Sequence, residues 1–131
     1  MEFKSTTASS IEFANENKLE EWVHLFLCSE GNNKPFSDGL KLEPRFFHSP
    51  QIIDLEIFNR CCGPEKGIKH QIPSNDFFTN VNNIILRYQS GDWDMPPLIV
   101  NYENGIYELN DGNHRYEALK KLNINKYWVI I

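Results

Sequence analysis

An Asn-Gly dipeptide, Asn104-Gly105, stands between two short apolar runs, Leu98–Tyr102 and Ile106–Leu109. Both residues tolerate positive φ, and such a pair closes a two-residue β-hairpin whose turn matches the twist of its strands. Asp111-Gly112-Asn113 then interrupts the second strand. A helical pattern follows at once, with Ala118, Leu119 and Leu122 sharing a face with Arg115. Asn113 has the chemistry of an N-cap, Lys120 and Lys121 suit the last turn, and Asn123 suits a left-handed exit. Tyr127–Ile131 returns as a β-branched, aromatic strand, and Pro96-Pro97 keep the approach to the hairpin extended. The predicted unit is strand, hairpin, strand, tight loop, helix, strand.

The junction Asp111–Arg115 is where this unit acquires chemistry. A helix N-terminus presents unpaired N–H groups and a partial positive charge. Gly112 allows a ligand close to the backbone, and His114 and Arg115 add side-chain donors beside it. Together they describe an anion site, most naturally for phosphate. Asp111 is the odd member, because a carboxylate repels a bare phosphate; there it holds a metal ion, accepts a hydroxyl proton or clamps His114. Taken singly, these residues also read as an Asp-Gly turn, a surface histidine and a salt-bridge arginine. The whole string in its strand–loop–helix setting favours the anion site.

The string Asp111-Gly112-Asn113-His114-Arg115-Tyr116-Glu117-Ala118-Leu119, preceded by Pro97-Leu98-Ile99-Val100 and Gly105-Ile106-Tyr107, resembles the ParB/sulfiredoxin superfamily. More narrowly it is similar to the small stand-alone ParB-like (nuclease) domain proteins. The segment Cys62-Gly63-Pro64-Glu65-Lys66-Gly67-Ile68-Lys69 is similar to that smaller group, and the likeness runs from Ile52 to Ile131. The resemblance implies an α+β fold, a small mixed sheet with helices packed on it. Residues 51–131 would form that domain, and residues 1–50 an N-terminal arm, helix and long loop packed on its body. In this superfamily the corresponding loop and helix start bind nucleotide phosphates. Its members include CTP-binding partition proteins, ATP-dependent sulfiredoxins, free-serine kinases and reported nucleases.

A chain of 131 residues with 40% hydrophobic and 13% aromatic content is long enough for one domain with a core, and too short for two ordinary ones. A formal charge of −5 opposes a chain whose main task is gripping a nucleic-acid backbone, so DNA is a disfavoured partner. No apolar run approaches a membrane span, and Met1–Ser10 lacks the basic-then-apolar layout of a secretion signal, so a cytoplasmic location is expected. The cysteines, Cys28, Cys61 and Cys62, make neither a disulfide framework nor a zinc pattern. Buried or half-buried thiols are expected, with a vicinal redox pair at Cys61-Cys62 as the sharper reading.

Met1–Ala14 reads as a loose polar arm. Leu19, Trp22, Val23, Phe26 and Leu27 predict a core-packing helix over 17–29, with Asn17 and Glu20 as its capping pair. Gly31–Pro50 reads as a long connection in which Arg45, beside Phe46-Phe47, is taken as solvated. Gln51–Asn59 alternates as a strand. The same resemblance, whose kinase-like members carry an essential Glu after the first strand, implies Glu65 in the following turn as the candidate catalytic carboxylate, with Lys69 and His70 on the same rim; its bland alternative is an exposed turn glutamate. Ser74 is the expected N-cap of a helix whose stripe is Phe77, Val81, Ile84, Ile85 and Tyr88. Arg87 is expected to point to solvent, and Trp93 to pack in the core rather than line a pocket.

The expected function is binding of a nucleotide (ATP, ADP or CTP) by a phosphotransferase or nucleotide hydrolase. Gly112, Asn113, His114 and Arg115, with Lys69 and His70, would meet the phosphates. Asp111, His114 and Glu65 would be catalytic, and Asp111 and Glu65 the candidate Mg²⁺ ligands. The alternative is a non-catalytic nucleotide switch or DNA-associated module. Partition proteins carry Gly-Glu-Arg-Arg where this chain has Gly112-Asn113-His114-Arg115, which weakens the carry-over of CTP specificity. Sulfiredoxin chemistry needs a cysteine where Asn113 stands. The Asp-Gly-X-His-Arg form is closer to the free-serine kinases and implies a small hydroxyl substrate. Nuclease activity fits the acidic charge poorly.

Overall fold

In a computed structural model describing residues 1–131, the N-terminal arm is a helix, α1 (Thr7–Asn15). Its sequence is polar, and hydroxyl contacts hold it in place of a broad apolar face. Thr6 accepts from the Ser9 amide as N-cap, and Thr7 Oγ1 donates to the Met95 carbonyl at 2.6 Å. Helix α2 (Leu19–Leu27) is shorter at both ends than expected. Lys18 occupies its N-cap, because Asn17 takes a left-handed φ of 58° in the turn between the helices. A further helix, α3 (Lys34–Leu40), lies in the long connection, with Pro35 in its first turn, where a missing N–H costs nothing.

The strand expected over 51–59 is divided into β1 (Gln51–Asp54) and β2 (Phe58–Arg60) by a 3₁₀ turn at Leu55–Ile57. Asp54 caps that turn, which buries Leu55. Strands β3 (Cys62–Gly63) and β4 (His70–Gln71) form a separate parallel pair. Helix α4 (Ser74–Gln89) has Pro73 at its cap, so Ser74 is its first residue and not its N-cap. The hairpin strands are β5 (Leu98–Glu103) and β6 (Ile106–Asp111), joined by Asn104 at φ 53° and Gly105 at φ 80°. Helix α5 (Asn113–Lys121) and strand β7 (Lys126–Ile130) complete the chain, with Asn123 left-handed between them.

The architecture is α+β: a mixed five-stranded sheet in the order β1-β7-β5-β6-β2, with helices packed on it. Strand β5 runs antiparallel to β6 and parallel to β7, and it is covered on both faces. Leu98 and Val100 pack with Tyr116 and Leu119 of α5, whereas Ile99 joins Ile130 against Phe13, Trp22 and Phe26 of the N-terminal helices. Burial on both faces explains the unbroken apolar run that precedes the hairpin. Each of these side chains contributes roughly 1.5–3 kcal/mol of burial. The first two helices thus share a core with the sheet. Helix α4 packs on α5 through Phe77, Val81 and Ala118. No helix is long and apolar enough to cross a membrane.

Candidate functional site

The regular β5–β6 ladder ends one step before the Asp-Gly bend. Val100 pairs with Leu109 and Ile99 with Asp111, which leaves Asn110 as an extra residue on β6. Such bulges turn a strand and re-aim its side chains. Asp111 is carried into the interior, and Gly112 takes φ 100°, a conformation a β-carbon resists. Gly112 is the N-cap of α5 and offers no side-chain cap; Asn113 is the first helical residue.

The side chains of the bend diverge. Arg115 turns inward: Nη1 donates to the Pro96 and Pro97 carbonyls at 2.8 and 2.9 Å, and Nη2 to Asp111 Oδ2 at 2.9 Å. Asn33 Nδ2 donates to Asp111 Oδ1 at 3.2 Å, and the Phe26 ring lies 5.2 Å from the guanidinium carbon. Burial pulls the Arg115 guanidinium below its ordinary value, and Asp111 opposes that pull. Asn113 is buried too. Its Oδ1 accepts from the Cys61 and Cys62 amides at 3.0 and 3.2 Å, and its Nδ2 donates to the Leu109 carbonyl at 3.2 Å. Asn113 therefore fastens the segment around β3 to the start of α5.

His114 points the other way, into a cleft of about 340 Å³ whose lining includes Asp111, Gly112, His114 and Arg115, and across from them Asn80, Asn83, Arg87 and Trp93. The imidazole lies 4.8 Å from the Phe77 ring. Burial lowers its pKa from the usual 6.5, and the Arg115 charge lowers it further against the opposing Asp111. It is therefore neutral at pH 7. His114 Nε2 and Trp93 Nε1 are both buried without a hydrogen-bond partner. Trp93 Nε1 can only donate, while His114 Nε2 donates or accepts according to its tautomer.

Arg87 is exposed and Trp93 packs half-buried against the main core, both as expected, and both also line this cleft. Arg87 lies 4.0 Å over the Trp93 ring and donates to Glu30 Oε1 at 2.6 Å. Asn80 and Asn83 were not legible as site residues. Their signal is the polar i, i+3, i+7 spacing of Asn80, Asn83 and Arg87 along α4.

Glu65, Lys69 and His70 are not brought to this cleft. Glu65 lines a different one with Arg60, Lys66 and Lys120. It is hydrogen-bonded to Arg60, which also lies 3.9 Å from Glu117. Partial desolvation would raise the Glu65 carboxyl, but its own backbone amide and Arg60 together hold it below the usual range. Lys69 pairs with Glu108 at 3.4 Å, and His70 is exposed on β4. The two expected Mg²⁺ ligands, Asp111 and Glu65, thus line separate clefts, and each is engaged by an arginine. No three His, Cys, Asp or Glu side chains are grouped together, and Asp111 and Glu65 do not meet at one ion.

Arg45 is half-buried and not solvated: it donates to the Val100 carbonyl at 2.9 Å and lies over Phe47. Cys28 is exposed, Cys62 half-buried and Cys61 buried. The Cys61 and Cys62 sulfurs stand 3.6 Å apart as free thiols.

No protein-family model matches the chain, and no curated protein does. Among solved structures, the chain is similar to SbnI with C-terminal truncation from Staphylococcus aureus. The match has 20% identity and a TM-score of 0.45 and covers 61% of this chain. It spans 29% of that chain's length.

Proposed function

We propose that the protein is a ParB/sulfiredoxin-type domain that binds a small phosphorylated ligand, a nucleotide such as ATP, ADP or CTP, in the cleft beside His114. The observation that carries this reading is the cleft at the start of α5, lined by Gly112, His114, Arg87 and Trp93, two of whose lining residues hold a buried polar atom with no partner in the protein, His114 Nε2 and Trp93 Nε1. A buried polar atom without a partner costs roughly 1–3 kcal/mol, and a ligand group that a small side-chain shift brings within reach removes that cost. The cleft volume is at the small end of the range for ligand pockets, about 300–1,000 Å³. Gly112 and the first-turn amides of α5 supply further donors. In this reading Asp111, Asn113 and Arg115 hold the bend in shape, and Lys69 and His70 take no part.

Neutral His114 is suited to accept a proton from a small hydroxyl substrate. The hydroxyl oxygen would attack the terminal phosphorus of ATP as the bond to the bridging oxygen breaks, making the protein a phosphotransferase. A second reading, a nucleotide switch without turnover, is favoured by one observation: Asp111 and Glu65 are both tied to arginines. The test is calorimetric titration of ATP, ADP, CTP and inorganic phosphate, with and without Mg²⁺, into wild type, His114→Gln and Trp93→Phe. Wild type is expected to bind at least one probe, and Trp93→Phe to lose about 3–10-fold through one missing hydrogen bond. Absence of binding, or equal binding by all three proteins, refutes the proposal. Release of ADP in the presence of serine and other small alcohols separates the phosphotransferase from the switch.

A further inference from the structure

We infer that Arg87 is the residue that recognises the ligand's phosphate and that Glu30 is its built-in competitor, a carboxylate that the phosphate displaces. This assignment rests on the cleft reading given above. The charged side chains lining the cleft are Glu30, Arg87, Asp111 and Arg115, two of each sign. Arg115 is already committed. Its Nη1 is shared between two backbone carbonyls and its charge is answered by Asp111, with both side chains near a tenth exposed. A phosphate approaching that pair meets no net charge.

Arg87 is in the opposite situation. It stands in the last turn of α4 with its side chain 51% exposed, and its one ion-pair partner is Glu30, itself 42% exposed. Stacking on Trp93 fixes the plane of the guanidinium without consuming its N–H groups. The same indole that supports Arg87 lines the cleft, and its buried Nε1 has no partner in the protein. An oxyanion entering the cleft can therefore pair with a guanidinium that is already oriented. Glu30 lies in the turn after α2, outside any helix, where its side chain swings clear without unwinding an element.

Magnitudes favour the exchange. Glu30 offers the half-exposed Arg87 a single negative charge that solvent screens, whereas a phosphate offers up to two charges and several acceptor oxygens to the same guanidinium. A dianionic phosphate outcompetes the glutamate, and a neutral ligand does not. The ligand class is thus a phosphate monoester or the terminal phosphate of a nucleotide.

The test titrates inorganic phosphate, ADP, ATP and CTP by calorimetry into wild type, Glu30→Gln, Arg87→Met and the double variant. Glu21→Gln, an exposed charge on α2 outside the cleft lining, controls for net charge. Glu30→Gln should tighten binding by about 2–5-fold, and Arg87→Met should weaken it by about 10-fold or more. Glu21→Gln should change nothing, and the double variant should match Arg87→Met. Wild-type affinity in Arg87→Met, or a Glu30→Gln gain no larger than that of Glu21→Gln, overturns the assignment and leaves the cleft standing. If neither wild type nor Glu30→Gln binds any probe, the cleft reading fails and this one with it.

Discussion

Asp111 and Arg115 close a buried ion pair across the Gly112 bend, with Nη2 and Oδ2 2.9 Å apart and the residues 8% and 7% exposed. The pair bridges the end of β6 to the first turn of α5, while the same guanidinium reaches back to the carbonyls before β5. One arginine thereby fixes the relative positions of both hairpin strands and the helix.

Breaking a buried pair by removing one partner costs about 3–5 kcal/mol, because the remaining charge is left uncompensated. Asp111→Asn should lower unfolding free energy by about 3 kcal/mol, and Arg115→Met by a similar amount. The double variant should cost less than the sum, since no orphan charge remains. Urea unfolding followed by tryptophan fluorescence reads all three. A loss below about 0.5 kcal/mol in Asp111→Asn, within the range of an ordinary surface substitution, would contradict a structural role for the pair. Ligand binding lost in an Arg115 variant must accordingly be checked against loss of fold.

Gly112→Ala tests the bend from the backbone side. At φ 100° an L-residue is strained, and an added β-carbon would stand 2.7 Å from Leu98 Cδ2 and 2.9 Å from Arg115 Nη2. Strain of about 1–3 kcal/mol adds to displacement of the ion pair. The variant should be less stable than Gly105→Ala, where nothing stands within 4 Å of the new β-carbon although φ is also positive. Equal midpoints for the two variants would remove the close approach as a constraint.

The hairpin, the strand break and α5 were legible in the sequence because each rests on local chemistry: Asn104-Gly105 for the turn, Asp111-Gly112-Asn113 for the break, Asn123 for the exit; the N-cap was read one residue late, at Asn113 in place of Gly112. Helices α1 and α3 were not, because tertiary partners decide them. Thr7 is held by the Met95 carbonyl, and Asn33, just before α3, reaches Asp111. The same reason hid half of the cleft. His114 was visible from its place in a motif, whereas Asn80, Asn83, Arg87 and Trp93 arrive there only because α4 packs on α5 through Phe77 and Val81. Asn113 and Arg115 were read by residue type as donors to a ligand. Residue type does not say that buried carbonyls and amides of the chain itself reach those groups first.

The three thiols stand in different surroundings: Cys28 is exposed, Cys62 half-buried and Cys61 buried. Burial, then the neighbouring Cys61 and the Asp111 and Glu108 charges, push the Cys62 thiol up to about 12. The thiolate is the nucleophile, so at pH 8 Cys62 is almost wholly protonated. Iodoacetamide on the native protein should label exposed Cys28 first and leave Cys62 largely unmodified. Peptide mass spectrometry before and after urea unfolding reads the order. Fast labelling of native Cys62 would show that its surroundings favour the thiolate, and would revive the vicinal pair as a redox element.

His114 makes stability depend on pH in one direction. Its folded pKa is depressed below the ordinary 6.5, with burial the largest cause and Arg115 the next. Well above pH 6.5 the imidazole is neutral in both states and contributes no slope. As pH falls below 6.5 the unfolded chain takes up a proton that the folded chain refuses, so stability is lost until the lower, folded pKa is reached. His24, also depressed by burial, acts with the same sign, so the informative comparison is between variants. From pH 7 to pH 5 the His114→Gln protein should lose less unfolding free energy than wild type. The Cε1 proton of His114 should titrate below 6.5 by NMR. A bound phosphate near Nε2 reverses the balance by favouring the imidazolium, so saturating inorganic phosphate should raise that midpoint in wild type. A midpoint that phosphate leaves unmoved would separate His114 from the anion.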